Sequence, residues 1–329
     1  MNTFSILIPV YNVENYVLKC LDSIRSQIFQ DYELIIVDDA SPDKSMTIVN
    51  EYLNSHYDLM QKTKIVRHEQ NRGLAAARLS GLQEATGNYI VFVDSDDWLE
   101  LNFLNVFVEI IEKESPDIVM CNVNHIWKDK TTIEYSNNIT NREEYIASIL
   151  ERRNTLNVWG KAYKRDLFHK LKPGFIEGIN FGEDYVVLSR VVFFAHNIYF
   201  LKETLYNYSH LNENSYTYKL KRQSVDNLIA AEAIVNKFYT DKGLYAESLK
   251  VGRLKIKSEL LISYFRSSGK DIVLLSYLDC LYKKDQQQII FVKNLSLANK
   301  FVLLLCELKL YGILRLYVRV GSNIKQILK

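Results

Sequence analysis

Three aspartates follow an apolar run within four positions of the chain. Asp94, Asp96 and Asp97 come directly after residues 89–93 in the stretch NYIVFVDSDDW. Like charges this close repel one another, and the repulsion raises carboxyl pKa values. Mg²⁺ or Mn²⁺ relieves it, because these hard cations bind one or two carboxylates together with substrate phosphates. We therefore predict that Asp96 and Asp97 hold a metal against a diphosphate leaving group. The alternative is that an aspartate caps a helix beginning near Trp98.

A second acidic pair, Asp38 and Asp39, follows the apolar run ELIIV at residues 33–37. A carboxylate accepts hydrogen bonds, and the edge of uracil or guanine offers N–H donors. One of the two side chains can therefore read a base while the other holds the turn. The alternative is a purely structural Asx-type turn into SPDKS.

A third acidic pair stands in the stretch INFGEDYVVLSRVVFFAH. The pattern predicts a loop ending at Gly182 and a helix through about His196, with Glu183 and Asp184 in its first turn. A helix N-terminus favours ionised carboxylates, so either residue could accept a proton from a hydroxyl group. The alternative is a pair of first-turn acids with no chemical role.

Four further residues are weaker candidates for binding a sugar or an acceptor. Trp159 could stack on a sugar and Lys161 could meet a phosphate, although a core tryptophan and a solvated lysine would look the same in the sequence. Trp98 is a further weak candidate for contact with a sugar or an acceptor. His210 could approach the diphosphate or lie on the surface.

The elements that position these residues alternate along the first 125 residues. The fold class predicted is α/β, a mostly parallel sheet covered by helices on both faces. Ligands of such sheets bind outside the carboxyl ends of the strands, which brings the acidic pairs to one edge, near Arg72 and Arg78. Asn71 is a plausible N-cap and Gly87 a plausible stop for the third helix. The predicted strands are 4–10, 33–37, 64–68, 89–93 and 117–123, and the predicted helices are 15–27, about 45–57, 73–85 and 98–114.

Composition narrows the class of protein. The chain of 329 residues has a net charge of +2, which gives no global attraction to nucleic acid. The four cysteines are scattered, which disfavours a disulfide framework or a zinc site and fits a reducing compartment. The N-terminal run stops at Pro9 and is interpreted as a strand, not a signal peptide. No apolar run reaches about 20 residues, so no transmembrane helix is expected. The chain contains neither GxxxxGK[ST], the P-loop motif, nor GxGxxG, the dinucleotide-binding motif.

Four ordered motifs resemble those of family 2 glycosyltransferases with the GT-A fold. They are SILIPVYNVENYVLKCLDSIRSQ, YELIIVDDASPDKS, NRGLAAARLSGLQEATGNYIVFVDSDD and GEDYVVLSR, and they cover roughly residues 3–200. The resemblance implies an inverting transfer from a nucleotide-activated sugar, usually a UDP-sugar, with Mn²⁺ or Mg²⁺. It implies that Asp39, with Asp38, contacts the base, and that Asp94 and Asp96 form the DxD element. The pair Glu183 and Asp184 would supply the catalytic base, with Asp184 preferred.

The remaining donor-site residues follow from the same resemblance. One departure from the family pattern is the segment Ala77-Arg78-Leu79, where relatives often carry ARN. It puts in doubt any role of the missing asparagine. The residues assigned to donor nucleotide binding are Pro9, Tyr11, Asn12, Glu14, Asp38, Asp39, Asn71, Arg72, Arg78, Asp94 and Ser95.

The C-terminal part has a different composition. We predict a catalytic domain over 1–205, with a nucleotide-sugar half to about 125 and an acceptor half over 126–205, and a helical region over 206–329. Residues 291–329 carry seven basic residues against one acid, Glu307, among apolar residues. This mixture is typical of a segment in a membrane interface. A helix packed on the core and an oligomerisation helix are the alternatives.

The predicted function is transfer of a sugar to a hydroxyl of a glycan or lipid-linked acceptor in cell-surface polysaccharide synthesis. The predicted location is the cytoplasm, peripheral to the inner face of the cell membrane, with no nucleic-acid partner. Two alternatives remain. A haloacid-dehalogenase-like phosphatase also has DxD after a strand, but it expects Thr or Val soon after the second Asp, where this chain has Asp97-Trp98. A non-catalytic nucleotide-sugar-binding protein is the other.

Overall fold

The structure is a computed structural model. It describes residues 3–135, 141–172, 174–212, 222–267, 270–287 and 289–327. The strands are β1 (Phe4–Val10), β2 (Tyr32–Asp38), β3 (Thr63–Arg67), β4 (Tyr89–Phe92), β5 (Trp98–Leu99), β6 (Ile118–Ile126), β7 (Thr131–Glu134), β8 (Lys161–Lys164) and β9 (Ile198–Ser209). The helices are α1 (Val17–Arg25), α2 (Ser45–Ser55), α3 (Tyr57–Met60), α4 (Leu74–Glu84), α5 (Phe103–Glu114), α6 (Arg142–Leu150), α7 (Asp166–Lys170), α8 (Glu183–Phe194), α9 (Arg222–Thr240), α10 (Ala246–Arg266), α11 (Ile272–Cys280), α12 (Lys283–Gln286), α13 (Leu297–Glu307) and α14 (Tyr311–Ile327), with a 3₁₀ turn at Ile289–Phe291.

The first four strands form the parallel part of one sheet, in the order β3-β2-β1-β4. All seven residues of β1 are buried, as expected for a strand covered on both faces. Ile6 and Ile8 belong to a core shared with α1 and α5, while Leu7 lies near Gly81 of α4 on the other face. Val10 pairs in register with Asp38, and Asp38 with Arg67. The prediction that these strands end at one edge is confirmed.

The second half of the sheet is mixed in direction. Beyond β4 the order continues β8-β6-β9-β5, with β7 paired to β6. β8 is antiparallel to both β4 and β6, so residues 117–123, although correctly predicted as a strand, do not adjoin β4. The long strand β9 runs to Ser209, inside the stretch that we predicted to be helical from about residue 205.

Two local predictions are corrected. Residues 98–114 do not form one helix, because Trp98 and Leu99 pair with β9 as β5 before α5 begins at Phe103. Asn71 is not the cap of α4. Gly73 occupies that position at φ 88° and has no side chain, and Oδ1 of Asn180 accepts from the first-turn N–H of Ala75 at 3.3 Å.

The chain divides into two compact units. One comprises residues 1–145 and 156–215 and contains the sheet, and the other comprises residues 146–155 and 216–329 and is helical over its described C-terminal part. Within the described residues, no helix combines the length and the apolar character needed to cross a bilayer.

Candidate active site

One buried arginine gathers three carboxylates at the edge where the parallel strands end. Arg78 of α4 donates from Nη2 to Asp94 at 2.7 Å, and from Nη1 to Glu183 at 3.1 Å and to Asp184 at 2.5 Å. Its own side chain is fully buried. Burial alone would lower the pKa of Arg78, but the three carboxylates raise it above its usual value. Arg78 was predicted to contact the nucleotide, and this is corrected, because its guanidinium is committed to the protein's own acids.

Of the two acids of α8, Glu183 is buried and Asp184 is half-buried, which reverses one expectation. Gly182 precedes the helix in the left-handed conformation, and Glu183 and Asp184 occupy its first turn. Burial raises the pKa of Glu183 to about 8 and also raises that of Asp184. The predicted ionising effect of the helix N-terminus is therefore outweighed by desolvation. Asp184 is the more open of the two, with 20% of its side chain exposed against 9% for Glu183.

The two oxygens of Asp184 have different surroundings. Oδ1 receives the short hydrogen bond from Arg78, whereas Oδ2 receives only a long one, 3.4 Å, from the backbone N–H of Val158. Oδ2 is consequently the oxygen best able to accept a further proton donor. Glu183 lies deeper, and burial disfavours its ionised form by raising its pKa. The geometry thus distinguishes the two acids, and Asp184, the residue preferred from the sequence, has the more open oxygen.

The three aspartates after β4 take different positions. Asp94 pairs with Arg78. Asp97 is buried, and its oxygens accept from the Tyr206 hydroxyl at 2.7 Å and the Ser209 N–H at 2.8 Å. Asp96 is half-buried and accepts from Asn212 Nδ2 at 2.9 Å. The prediction of Asp97 as a metal ligand is corrected, because both its oxygens are turned to protein donors away from solvent.

The residues present nevertheless fit a divalent cation. Burial, and then the charge of Asp94, raise the pKa of Asp96, and a bound cation would offset both effects. Within the described ranges, no three His, Cys, Asp or Glu side chains converge as a complete metal site. The donor set is therefore one hard-oxygen carboxylate, Asp96, with Asp94 beside it, and phosphate oxygens would complete the coordination, as is common for Mg²⁺.

Asp39 is a structural anchor. Its Oδ1 contacts His68 Nδ1 at 2.6 Å and accepts from the N–H of Arg72 at 2.8 Å, and its Oδ2 accepts from the N–H of Gly73 at 2.8 Å. These three internal partners fix the position of the buried carboxylate, and its contact with a base stays a prediction. Asp38 is half-buried and accepts from the N–H of Ser41 at 3.0 Å, the Asx-type turn considered above.

The loop after β3 rests on the segment that precedes α8. The exposed guanidinium of Arg72 pairs with both oxygens of Glu177, at 2.9 and 2.7 Å. Gly73 has φ 88°, and a Cβ there would lie 2.1 Å from Asn180. Only glycine combines this conformation with so close an approach. Arg72 is therefore at the edge of the site, as predicted, with an acid already beside it.

The other predicted nucleotide residues are also placed along this edge. Tyr11 and Asn12 are exposed just after β1, and Asn12 adopts a positive φ of 56°. Glu14 accepts from the N–H of Lys44 at 2.9 Å. The structure finds Asn71 exposed and Pro9 and Ser95 buried. Their contacts to a nucleotide stay predictions.

Trp159 and Lys161 do not face an open surface. Trp159 is buried and stacks on Tyr206 and Tyr208, with ring centroids 4.7 and 4.8 Å apart. Lys161 is buried, and its Nζ donates to Asn157 O and Oδ1 and to Trp159 O at 2.8–3.2 Å. Burial lowers its pKa to about 8. The predictions that Trp159 stacks on a sugar and that Lys161 binds a phosphate are therefore corrected. Lys161 instead holds the turn that contains Val158.

Lys161→Met is expected to lower the free energy of unfolding by about 1–3 kcal/mol, because it leaves buried carbonyl acceptors without a donor. Urea denaturation measures the change. Lys164→Met is the matched control, since Lys164 lies on the same strand but is exposed. Equal stability of the Lys161→Met variant and the wild type would show that the buried ammonium group does not hold the turn.

Trp98 and His210 lie near the aspartates but have partners. Lys19 Nζ lies 2.9 Å from the ring centroid of Trp98. His210 stacks on Trp127 and contacts His125 at 2.9 Å. Their roles towards a sugar or diphosphate stay predictions.

Sequence reasoning missed several residues that shape the site. His68, Glu177 and Asn212 each hold a predicted site residue. His68 could have been found, because it directly follows β3 at the same edge as Asp38. Glu177 and Asn212 lie in loops with no periodic pattern, and nothing in the sequence marks them.

The sequence of this chain is similar to those of known proteins. Residues 5–172 match the profile of Glycosyl transferase family 2. The chain is 32% identical over 225 residues to the putative glycosyltransferase EpsH of Bacillus subtilis, covering 66% of this chain and 64% of EpsH. It is 29% identical over 340 residues to the uncharacterized glycosyltransferase EpsJ of the same organism, covering 98% and 97%. It spans less than two thirds of EpsH, and 30% of one pneumococcal glycosyltransferase.

Solved structures share the fold at low identity. Staphylococcus aureus TarS, in a complex with UDP, aligns with a TM-score of 0.62 and 22% identity, covering 88% of this chain and 78% of that chain. A mannosyltransferase of Pyrobaculum calidifontis, in complex with GDP-Man and Mn²⁺, aligns at 0.50 and 17% identity, covering 93% and 86%. Both similarities establish the fold.

Proposed function

The chain belongs to glycosyl transferase family 2, and on that premise we propose that it is an inverting, metal-assisted enzyme that transfers a sugar from a UDP-sugar to a hydroxyl group. The proposal rests on one observation: Asp94, Glu183 and Asp184 all contact Arg78 at the carboxyl edge of the sheet. Arg78 thereby links Asp94, on the donor side, to Asp184, the candidate base. TarS, which shares the fold, has been solved with UDP-GlcNAc, and this supports a UDP-sugar donor.

The proposed reaction is a single displacement. The acceptor oxygen forms a bond to the anomeric carbon, and the bond from that carbon to the diphosphate oxygen breaks with its electron pair. The acceptor proton passes to Oδ2 of Asp184, the oxygen without a close internal donor. Arg78 keeps Asp184 and Asp94 in fixed positions, and such positioning supplies much of the rate of enzymatic transfer.

On the donor side, we assign the edge of the base to Asp39 together with Asp38. Asp38 is half-buried at the end of β2, and Asp39 follows it. Asp96 would hold Mn²⁺ or Mg²⁺. When bound, the metal neutralises the charge of the diphosphate. The mannosyltransferase complex with Mn²⁺ supports a divalent ion.

The acceptor we propose is a glycan or a lipid-linked oligosaccharide of cell-surface polysaccharide synthesis. The similarity to EpsH and EpsJ supports membership of a glycosyltransferase class, and the acceptor is our inference. We place the enzyme in the cytoplasm, at the inner face of the membrane, which fits its four free cysteines.

A panel of nucleotide sugars tests the proposal. We expect thermal stabilisation by UDP and metal-dependent release of UDP from one or more UDP-sugars. UDP binding without turnover in the presence of acceptor extracts would favour a non-catalytic binding protein. Release of inorganic phosphate from phosphomonoesters, with no response to nucleotide sugars, would favour the phosphatase alternative.

Asp96→Ala is expected to reduce transfer about 100-fold or more, because removing one well-placed electrostatic group at a charged transition state costs 10²–10³ in kcat. Initial rates with and without excess EDTA measure it. Asp226→Ala, an exposed acid of α9 paired with Arg222, is the control and should retain activity. Full wild-type activity in excess EDTA would exclude the metal role of Asp96.

A further inference from the structure

Two consecutive helices of the C-terminal unit expose apolar residues opposite their packed faces. On α13, Leu297 and Phe301 are four positions apart, so they share a face of the helix. Leu297 is 83% exposed and Phe301 is also exposed, while Val302 and Cys306 are buried. Leu308, just after the helix, continues the exposed face. The helix is thus apolar on both sides, and only one side is covered within the described residues.

The next helix repeats this arrangement. On α14, Ile313, Leu316, Tyr317 and Val320 follow the i, i+3, i+4, i+7 spacing of one helical face. All four are exposed, and Leu316 is 63% exposed. Among the residues of this helix whose side chains are described, the buried ones are instead Leu314 and Val318.

The two exposed faces are continuous. The rings of Phe301 and Tyr317 meet edge-on, with centroids 5.1 Å apart. Lys300, next to Phe301, donates from Nζ to the carbonyl of Ile290 at 2.9 Å, which places the 3₁₀ turn beside α13. Phe291 of that turn is 78% exposed. Together these residues form one apolar surface, called here the α13–α14 surface. Contiguous exposed apolar patches on soluble proteins mark interaction sites.

Charge selects the occupant of this surface. Residues 289–320 carry five basic side chains and one acidic one. Lys293, Lys309 and Arg319 are exposed. A second copy of the chain is disfavoured, because a two-fold interface brings each patch against itself and so sets basic residues against basic residues. An anionic lipid surface satisfies both features, since it accepts apolar side chains below the headgroups and basic ones among them.

We propose that the α13–α14 surface docks the protein on anionic membranes, with the apolar side chains inserted at the headgroup boundary. The surface is narrower than the whole basic tail considered from the sequence. It runs from the 3₁₀ turn along α13 to Val320 of α14. Lys329 lies outside the described residues, and the side chain of Lys325 is not described. The proposal does not depend on sugar transfer and stands or falls separately from it.

Co-sedimentation of the full chain with vesicles tests the docking. We expect binding to vesicles of equal parts phosphatidylglycerol and phosphatidylcholine, little binding to phosphatidylcholine alone, and weakening in high salt because exposed charges are screened. The apolar variant Ile313→Ser with Leu316→Ser and the charge variant Lys309→Gln with Arg319→Gln should each bind about tenfold or more weakly, given the contribution of each basic or apolar group at such a surface.

A matched control comes from the same unit. Ile272 and Val273 of α11 are 79% and 74% exposed but follow the acidic residue Asp271, so Ile272→Ser with Val273→Ser should bind vesicles like wild type. Thermal melts and UDP binding check that each variant is folded. Equal sedimentation of all variants, or failure of the wild type to bind at low salt, overturns the proposal. A concentration-dependent dimer that only the surface variants abolish, without vesicle binding, assigns the surface to a second copy instead.

Discussion

Asp184→Asn should reduce kcat for sugar transfer by about 10²–10⁴-fold, the range typical of a lost general base. Asparagine keeps the size of the side chain and can still accept from Arg78, but it cannot take the acceptor proton. UDP binding should stay close to wild type, because Asp184 acts on the acceptor side of the reaction. Steady-state kinetics and calorimetry together measure the two effects, and a loss confined to kcat identifies an interaction used in the transition state.

Glu183→Gln is the matched control for this prediction. Glu183 lies deeper than Asp184, and burial raises its pKa, so neutral glutamine at this position should cost much less activity than Asp184→Asn. Burial also raises the pKa of Asp184. A base must be ionised, so activity should fall as the pH decreases, starting at a higher pH than for an exposed aspartate. An inactive Glu183→Gln variant beside an active Asp184→Asn variant would exchange the two roles.

Arg78→Met should have the largest effect on stability. It removes the counter-charge of Asp94, Glu183 and Asp184 while leaving all three in place. Breaking a buried ion pair by removing one partner costs about 3–5 kcal/mol, because the remaining charge is uncompensated. Urea denaturation of the variant measures this loss. Activity should fall with it, because the candidate base and the donor aspartate lose their common support.

The pH dependence distinguishes this mechanism from a simple packing defect. A carboxyl whose pKa is higher in the folded state than in the unfolded state stabilises the fold at low pH, and that contribution is lost as the pH rises through the folded value. Without Arg78, Glu183 and Asp184 should hold their protons more tightly, so the stability deficit should shrink as the pH falls from 8 to about 5. Arg72→Met, which removes an exposed guanidinium from the neighbouring loop, should change stability little. A deficit independent of pH would indicate lost packing instead.

Much of the nucleotide-side architecture could be predicted from the sequence because its signals are local. Each of β1, β2 and β4 is a short apolar run followed at once by polar residues. The rule that parallel strands present their carboxyl ends together then placed Asp38 and Asp94 at one edge. The second half of the sheet lacked such signals. β8 is only the four residues KAYK, and its antiparallel insertion between β4 and β6 depends on tertiary contacts.

Within the site, residue types were predicted better than residue roles. Asp38 and Asp39 are adjacent and chemically identical, yet one is half-buried and the other accepts three internal hydrogen bonds. Asp96 and Asp97 differ in the same way. Strand and turn geometry points neighbouring side chains in opposite directions, and which direction meets solvent is set by His68 and Tyr206, both distant in the sequence. The burial that raises the pKa of Glu183 is likewise a property of the packed fold.

The contacts of Arg78 also determine when the site can form during folding. Asp94 is 16 residues away along the chain, but Glu183 and Asp184 are 105 and 106 residues away. Contacts of such separation require closure of a long loop, and this entropic cost slows their formation. The Asp39 anchor, by contrast, joins residues no more than 34 positions apart. On the ribosome, a nascent chain can therefore complete the loop held by Asp39 while Arg78 still lacks two of its three acids. The proton-accepting part of the site can form only after α8 has been synthesised.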